Sequence, residues 1–275
     1  LAFGWKLLVS ALLETGYNNL RNLIIGKMYS PADLAYYNQG DKFPSVITSN
    51  INASIDSVLL PTMASVQDDA SRVKSMTRRA IKTSTYIMAP LMMGLAFCAE
   101  PIVRLVLTDK WLACVPFLRI FCITYMFYPI HTANLNAIKA MGRSDLFLKL
   151  EIAKKIVGMA LLLSTMWFGV MAMAYSLLVS SVTSQIINSW PNRKLLNYRY
   201  LDQLKDILPG IALAIFMGCC VNLVALLHLS NTVTLLIQIP MGAAIYIGAS
   251  AALHLESYEY LIDLIRTAWK RFTKR

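Results

Sequence analysis

Long apolar runs broken by short polar gaps occupy most of this chain. Eight stretches, at residues 3–26, 43–66, 80–99, 112–140, 151–170, 171–190, 207–228 and 232–255, reach the length needed to cross a bilayer core as a helix, about 20 predominantly apolar residues. They are rich in Leu, Ile, Met and Ala, and they do not show the in-and-out alternation of the roughly 10-residue strands in a membrane barrel. The pattern predicts an all-α, polytopic membrane helix bundle.

Composition supports that class. Charged residues make up 15% of the chain and hydrophobic ones 57%, with a mean hydropathy of +0.53, whereas soluble domains carry about 25% charged residues. A formal net charge of +11 would suit nucleic acid, but the placement of the basic residues argues against such a partner. Lys27 and Lys42 lie between the first and second stretches and Arg104 and Lys110 between the third and fourth, while the two later gaps on that side hold none. The alternate gaps are crowded. Arg72, Lys74, Arg78, Arg79 and Lys82 follow the second stretch; Lys139, Arg143, Lys149, Lys154 and Lys155 follow the fourth. Arg193, Lys194, Arg199 and Lys205 follow the sixth, and Arg266, Lys270, Arg271, Lys274 and Arg275 end the chain. With Lys6, about 20 basic residues fall on one side against about 4 on the other, a bias that marks the crowded side as cytoplasmic. An even number of spans preserves the alternation. Both ends are therefore expected on the cytoplasmic side of an inner membrane, with membrane lipids as neighbours.

Local signals refine the boundaries. The first gap, residues 27–44, carries Ser30-Pro31-Ala32-Asp33, a helix-start signal, and then Tyr36, Tyr37 and Asn38, which read as an interfacial aromatic belt. The polar, basic segment 67–82 predicts a short cytoplasmic helix leading into the third stretch. Pro90 is expected to kink that stretch and Glu100-Pro101 to end its buried part. Phe168-Gly169 predicts a tight hairpin near the external surface. Two segments read as amphipathic rather than spanning. One is the linker 191–206, with Leu196, Tyr200, Leu201 and Leu204 on its apolar side. The other is the tail 256–275, where Tyr258, Leu261, Ile262, Ile265, Trp269 and Phe272 recur at helical spacing among basic residues. Cys98, Cys114, Cys122, Cys219 and Cys220 show neither a C-x-x-C pair nor metal spacing with His, and read as small packing residues. The chain opens at Leu1 inside an apolar region, so a missing N-terminal part is expected.

Charged and polar groups at membrane depth are costly and usually face a cavity or the bundle interior. In the first stretch Glu14, Asn18, Arg21 and Asn22 fall at i, i+4, i+7 and i+8, on one helical face. In the second, Ser45, Ser49, Asn52 and Asp56 do the same. In the fourth, His131 and Asn134 are one turn apart, Arg119 lies nearer the external end and Asn136 points elsewhere. These groups either line a hydrated cavity or, for Arg21 with Glu14 or Asp56, form an internal ion pair that holds the bundle together. For His131 and the asparagines, interhelical packing bonds are an equal alternative. No G-x-x-x-x-G-K-[ST], G-x-S-x-G or H-E-x-x-H is present. His131 has no adjacent Asp or Asn in a recognisable motif and Asp145 no paired acid, so an enzyme, whether glycosyltransferase or acyltransferase, is not expected.

Three stretches carry a family resemblance: residues 17–44, YNNLRNLIIGKMYSPADLAYYNQGDKFP; residues 99–120, AEPIVRLVLTDKWLACVPFLRI; and residues 134–155, NLNAIKAMGRSDLFLKLEIAKK. By their joint order and spacing, over roughly residues 1–200, they resemble Wzx-type polysaccharide flippases of the multidrug/oligosaccharidyl-lipid/polysaccharide exporter superfamily, in the lipopolysaccharide or colanic-acid exporter branch. The resemblance implies a MATE-like arrangement of two six-helix lobes around a central cavity. On that template residues 1–190 are the second lobe, 191–206 a cytoplasmic amphipathic linker, 207–255 two accessory transmembrane helices and 256–275 a basic cytoplasmic tail. It also implies alternating access, with an undecaprenyl-diphosphate-linked oligosaccharide as substrate and no cofactor. The missing first lobe and the polysaccharide polymerase and export machinery are the implied protein partners. Arg21 and Arg119 then become candidates for attracting a diphosphate or an acidic sugar, and Glu14 and Asp56 for proton or sodium coupling. A cavity role predicts that Arg21→Ala impairs export without lowering membrane abundance; a structural bridge predicts lower abundance. The alternative within transport is a MATE-type drug or cation antiporter.

Overall fold

The computed structural model describes residues 4–227 and 229–272. The side chains of Lys6, Glu14, Asn18, Trp269, Arg271 and Phe272, and the whole of Lys274 and Arg275, lie outside the described residues. The chain forms α1 (Gly4–Met28), α2 (Pro31–Ala64), α3 (Ala70–Phe97), α4 (Ala99–Val106), α5 (Val115–Met126), α6 (Tyr128–Ala140), α7 (Ser144–Thr165), α8 (Val170–Leu195), α9 (Tyr200–Leu223), α10 (Asn231–Ala252) and α11 (Glu256–Phe272). Among the described residues there is no strand.

Each apolar stretch is found as helix, but several boundaries move. Ser30 does start α2: its hydroxyl accepts from the Asp33 amide at 3.1 Å, and the Asp33 carboxylate accepts from the Ser30 amide at 3.2 Å. Most of the expected connection at residues 27–44 is nevertheless helical, because α2 continues through Pro44. Packing sustains it. A Cβ on Gly40 would come within 2.7 Å of Phe117 Cβ and 2.9 Å of the Leu118 nitrogen, so the α2 backbone lies directly against the start of α5. The third stretch runs through Pro90 as one helix with the segment expected to be separate, starting from Asp69, whose carboxylate caps the amides of Ser71 and Arg72. Its 70° bend falls at Cys98, between α3 and α4. The fourth stretch is broken at Phe127, just before Pro129, whose ring and missing N–H oppose a continuous helix.

On length and apolar composition alone, four helical segments among the described residues qualify as membrane spans, or five if α3 and α4 form one bent span. Helices α1, α2 and α7 are absent from that set. They carry Asn22, Asp56, Lys154 and Lys155, polar groups that lower the mean over the whole circumference, and on α2 Asn50, Ser54, Asp56, Ser57 and Thr62 are exposed.

Two apolar clusters hold the bundle. The larger joins α3 through α6 with α9 and α10 around the fully buried Met88, Met92, Leu118 and Ile130. The smaller joins α1, α2, α5, α7 and α8 around Ile25, Phe121, Leu162 and Met173. The α7–α8 hairpin turns where expected, at Gly169, which adopts φ +101° and donates its amide to the Tyr29 hydroxyl at 2.8 Å.

The linker at 191–206 is not a separate surface helix. Helix α8 continues through Pro191 to Leu195, a short turn follows with Leu196 and Tyr198 buried, and α9 begins at Tyr200. Burial of those two side chains removes the apolar face that a lipid surface would otherwise have taken. Helices α9 and α10 then pack on α3. Phe97 lies against Gly218, Tyr86 donates to the Ser250 hydroxyl at 2.7 Å, and Tyr246 donates to the Tyr86 carbonyl at 2.9 Å. In the tail, Tyr258 and Leu261 pack on the larger cluster, the Arg79 guanidinium sits 4.9 Å from the Tyr260 ring centre, and Leu264 and Ile265 stay exposed.

Three of the basic segments meet at one end of the bundle. From the first turns of α3, Lys74 donates to the Asn197 carbonyl at 2.8 Å, Arg78 pairs with Asp206, and Lys82 pairs with Glu256. The gap after α2, the gap after α8 and the tail therefore share one side, as the charge alternation requires.

Candidate functional site

A cavity of about 520 Å³ opens between α1, α2, α5, α6, α7 and α8, a volume within the roughly 300–1,000 Å³ of small-molecule sites. Its walls follow from how the helices are tied. Tyr125 donates to Asp41 at 2.7 Å, Thr132 to Asn52 at 3.0 Å, and Asn136 to Asp56 at 2.6 Å. These three rungs climb α2 and the α5–α6 pair in the same direction, so the two run parallel with their polar faces turned to each other. On the opposite wall Arg21 donates to the Met173 carbonyl at 2.8 Å and to the Tyr17 hydroxyl at 2.8 Å. Tyr17 in turn donates to the Gly158 carbonyl at 3.1 Å, which joins α1, α7 and α8. A Cβ on Gly158 would lie 2.8 Å from that hydroxyl, so the contact depends on the glycine.

The chemistry of the lining is cationic and hydroxyl-rich. Arg21, Lys139, Lys154 and Lys155 bring positive charge; Tyr17, Tyr37, Tyr125, Tyr128 and three serines of α8 bring hydroxyls. Each acid on the wall is engaged: Asp41 by Tyr125, Asp56 by Asn136, and Glu151 by Lys154 at 2.5 Å. The Glu151 and Lys154 side chains are only 8% and 10% exposed, a depth at which leaving either partner alone would be costly. The Lys155 ammonium lies 4.9 Å from the Tyr17 ring centre, and the Lys139 ammonium 4.7 Å from that of Phe147. Such a wall is suited to oxyanions and sugar hydroxyls.

The structure brings together four of the residues singled out in the sequence: Arg21, Asn22, Asp56 and His131 all line this cavity. Asn52 stands beside it through its bond to Thr132. The side chains of Glu14 and Asn18 lie outside the described residues. Asp56 is bonded to Asn136 and not to Arg21, so of the two acids considered as ion-pair partners of Arg21, Asp56 is not one.

Three expectations are corrected. Asn136, read as pointing elsewhere, lines the cavity. Asn134 does not: it is fully buried against α8 and α9, bonded to Gln203 at 2.7 Å and receiving Asn192 at 2.6 Å. Arg119 is also away from the cavity, donating to the Ala96 carbonyl of α3 at 3.3 Å. The cavity face of α6 follows His131, Leu135 and Lys139, and Asn134 falls on the other side of His131. Ser45 and Ser49 bond back to carbonyls of their own helix, those of Lys42 and Val46.

Residues 1–116 match the family described as polysaccharide biosynthesis protein. The resemblance read from the sequence is thus found again. The chain is 26% identical over 189 residues to an "Uncharacterized membrane protein in cps region" of Klebsiella pneumoniae, covering 68% of this chain and 39% of that protein. It is 23% identical over 255 residues to the teichuronic acid biosynthesis protein TuaB of Bacillus subtilis, covering 92% and 52%. With the lipopolysaccharide biosynthesis protein WzxC of Escherichia coli it shares 23% identity over 189 residues, covering 69% and 38%. The chain therefore spans about half the length, or less, of the curated relatives it matches. The structure resembles the inward closed conformation of the lipid II flippase MurJ with a TM-score of 0.73 at 18% identity, over 94% of this chain and 53% of that one. That likeness concerns the fold, and the fold is that of a polytopic helical membrane protein.

Proposed function

We propose that this chain is one lobe, with two accessory helices, of a transporter that flips lipid-linked oligosaccharide units across a bacterial inner membrane for surface polysaccharide assembly. The observation that carries the reading is the cavity: cations and hydroxyls lining about 520 Å³ inside an otherwise apolar bundle. Crossing hydrocarbon unaided would strip a sugar diphosphate of water and leave many polar groups unsatisfied. A wall of Lys, Arg, Tyr, Ser and Asn removes most of that cost, while the lipid tail stays in the bilayer. The relatives named for teichuronic acid and lipopolysaccharide biosynthesis support the same substrate class.

In this reading the first lobe lies outside this chain, and alternating access rocks the two lobes about the headgroup. Arg21, Lys139, Lys154 and Lys155 attract the diphosphate. Asp56, whose partner is a neutral amide, is the carboxyl proposed for proton or sodium coupling. The basic ends of the helices face the cytoplasm.

The test is genetic and chemical. Deleting the gene is expected to abolish the surface polysaccharide and to leave lipid-linked repeat units accumulated in the inner leaflet. Intact polysaccharide together with sensitivity to small organic cations would instead identify a drug or cation antiporter.

A further inference from the structure

We infer that Tyr128, braced by Tyr125 set against it at 71° between ring planes, offers a stacking face for a pyranose ring of the transported headgroup, beside Lys154 and Lys155. This rests on the transport reading above and adds the pose of the substrate. A run of aromatic contacts follows α5 into α6. Tyr37 meets Phe121 at 5.1 Å between ring centres, Phe121 meets Tyr125 at 6.3 Å, Tyr125 meets Tyr128 at 5.7 Å, and Tyr128 meets His131 at 5.4 Å. The two ends of this run differ. Phe121 lies fully inside the smaller apolar cluster and Tyr37, though it reaches the cavity, is buried, whereas Tyr125, Tyr128 and His131 are half-buried and line the cavity.

Core filling accounts for the first end but not for the second. A side chain that only fills space is enclosed on all sides, and these rings border a cavity lined mostly by polar groups, with Leu135 and Leu177 among them. The one weakly polar surface of a pyranose is the face carrying its axial C–H groups. An aromatic face covers it without asking for a hydrogen bond, while the ring-edge hydroxyls remain directed at polar neighbours. Both kinds of neighbour are present. Tyr125 is fixed by its 2.7 Å bond to Asp41, and a carboxylate holding one donor keeps acceptor capacity for a sugar hydroxyl. Lys154 and Lys155 share the same cavity and supply the charge for the diphosphate. The headgroup then binds in one orientation, with phosphate at the lysines and the first sugar on Tyr128.

The probes are undecaprenyl diphosphate with and without its attached oligosaccharide, titrated against the full-length protein in nanodiscs. Wild type is expected to bind the sugar-bearing lipid at least ten-fold more tightly than the bare one. Tyr128→Leu, which removes the ring, should lose that preference while binding the bare lipid unchanged; Tyr128→Phe should keep it. Equal weakening of both lipids by Tyr128→Leu, or an undiminished preference, would overturn the stacking face and leave the transport reading standing. A wild-type protein that binds neither lipid would overturn the transport reading and the stacking face with it. Chromatographic monodispersity and thermal unfolding of each variant separate loss of fold from loss of stacking.

Discussion

Asn134 of α6 and Gln203 of α9 exchange two hydrogen bonds through their amides, Asn134 donating at 2.7 Å and Gln203 donating back at 3.1 Å, with both side chains fully buried. Ser189 joins the pair by donating to Gln203 at 3.1 Å, and Asn192 by donating to Asn134 at 2.6 Å. The first turn of α9 is thereby clamped to both α6 and α8. The clamp sits one helical face away from the cavity residue His131, whose ring contacts Asn188 of the same α8.

Breaking one side of this clamp leaves a buried amide short of partners, at a cost of about 1–3 kcal/mol. Gln203→Leu and Asn134→Leu should each lower the thermal unfolding midpoint in detergent. The double replacement should cost clearly less than the sum, because removing both partners leaves less polar surface unsatisfied. Strictly additive losses would show that the two amides do not act as a unit.

Arg21 braces three helices. It is 4% exposed, bonded to the Met173 carbonyl and to Tyr17, which holds Gly158. The sequence offered a choice between cavity residue and ion-pair bridge; Arg21 lines the cavity, and its bonds go to a carbonyl and a hydroxyl rather than to Asp56. Hydrogen bonds from a charged donor contribute about 1.5–3 kcal/mol, so Arg21→Ala should lower membrane abundance together with export. Arg21→Lys should restore part of the abundance, since it keeps the charge but loses the two-pronged fork. Quantified membrane fractions would decide: full abundance and an unchanged melting point for Arg21→Ala would refute the brace.

The same residues show which parts of the fold are written in local sequence and which are not. Apolar runs located the long helices because bilayer length and hydropathy are properties of one segment, but not the break at Phe127 or the separate α4. Arg21, Asn22, Asp56 and His131 stood out because polar groups are conspicuous in an apolar run. Tyr125 and Tyr128 did not, since tyrosine belongs equally to a core, an interface belt or a cavity wall. Lys154 and Lys155 were absorbed into the count of cytoplasmic charge, although their ammonium groups reach the cavity. The split between His131 and Asn134 was hidden for another reason. Both faces of α6 are polar, one toward the cavity and one toward α9, and only the position of α9 separates them. That position is set by long-range pairs such as Asn134 with Gln203, which leave no local pattern.

The Arg78–Asp206 pair gives the docking of α9 a pH dependence. Partial burial pushes the Asp206 carboxyl up, but the bonds from the Arg78 guanidinium at 2.7 and 2.8 Å and from the Tyr198 hydroxyl at 2.8 Å outweigh it and hold the group below its ordinary value. A carboxyl depressed in the folded state contributes stability that is complete above its ordinary value of 3.8 and lost as pH falls through the folded one. Stability carried by this group should therefore be flat from pH 7 to 5 and decline below about 4. Asp206→Asn should lower the melting point at pH 7 and reduce the acid slope. An unchanged acid slope in that variant would assign the acid sensitivity to other groups.

Sidedness is testable at Ser71. Its amide and hydroxyl both bond Asp69, at 3.1 and 2.8 Å, at the exposed start of α3. Ser71→Cys keeps the amide bond, so the cap and the helix should survive. Nearby, Lys74 and Arg78 tie α3 to Asn197 and Asp206, which places the α8–α9 turn on the same side. Cys98, Cys114 and Cys122 are buried, so replacing Cys219 and Cys220 leaves a background of low reactivity. A thiol reagent that cannot cross membranes should label Ser71→Cys in opened cells and not in intact ones, and a cysteine placed at Asn197 should behave identically. Labelling of both in intact cells would invert the orientation while preserving the fold. Labelling of only one would contradict the shared side, and with it the packing of α3 on the α8–α9 turn.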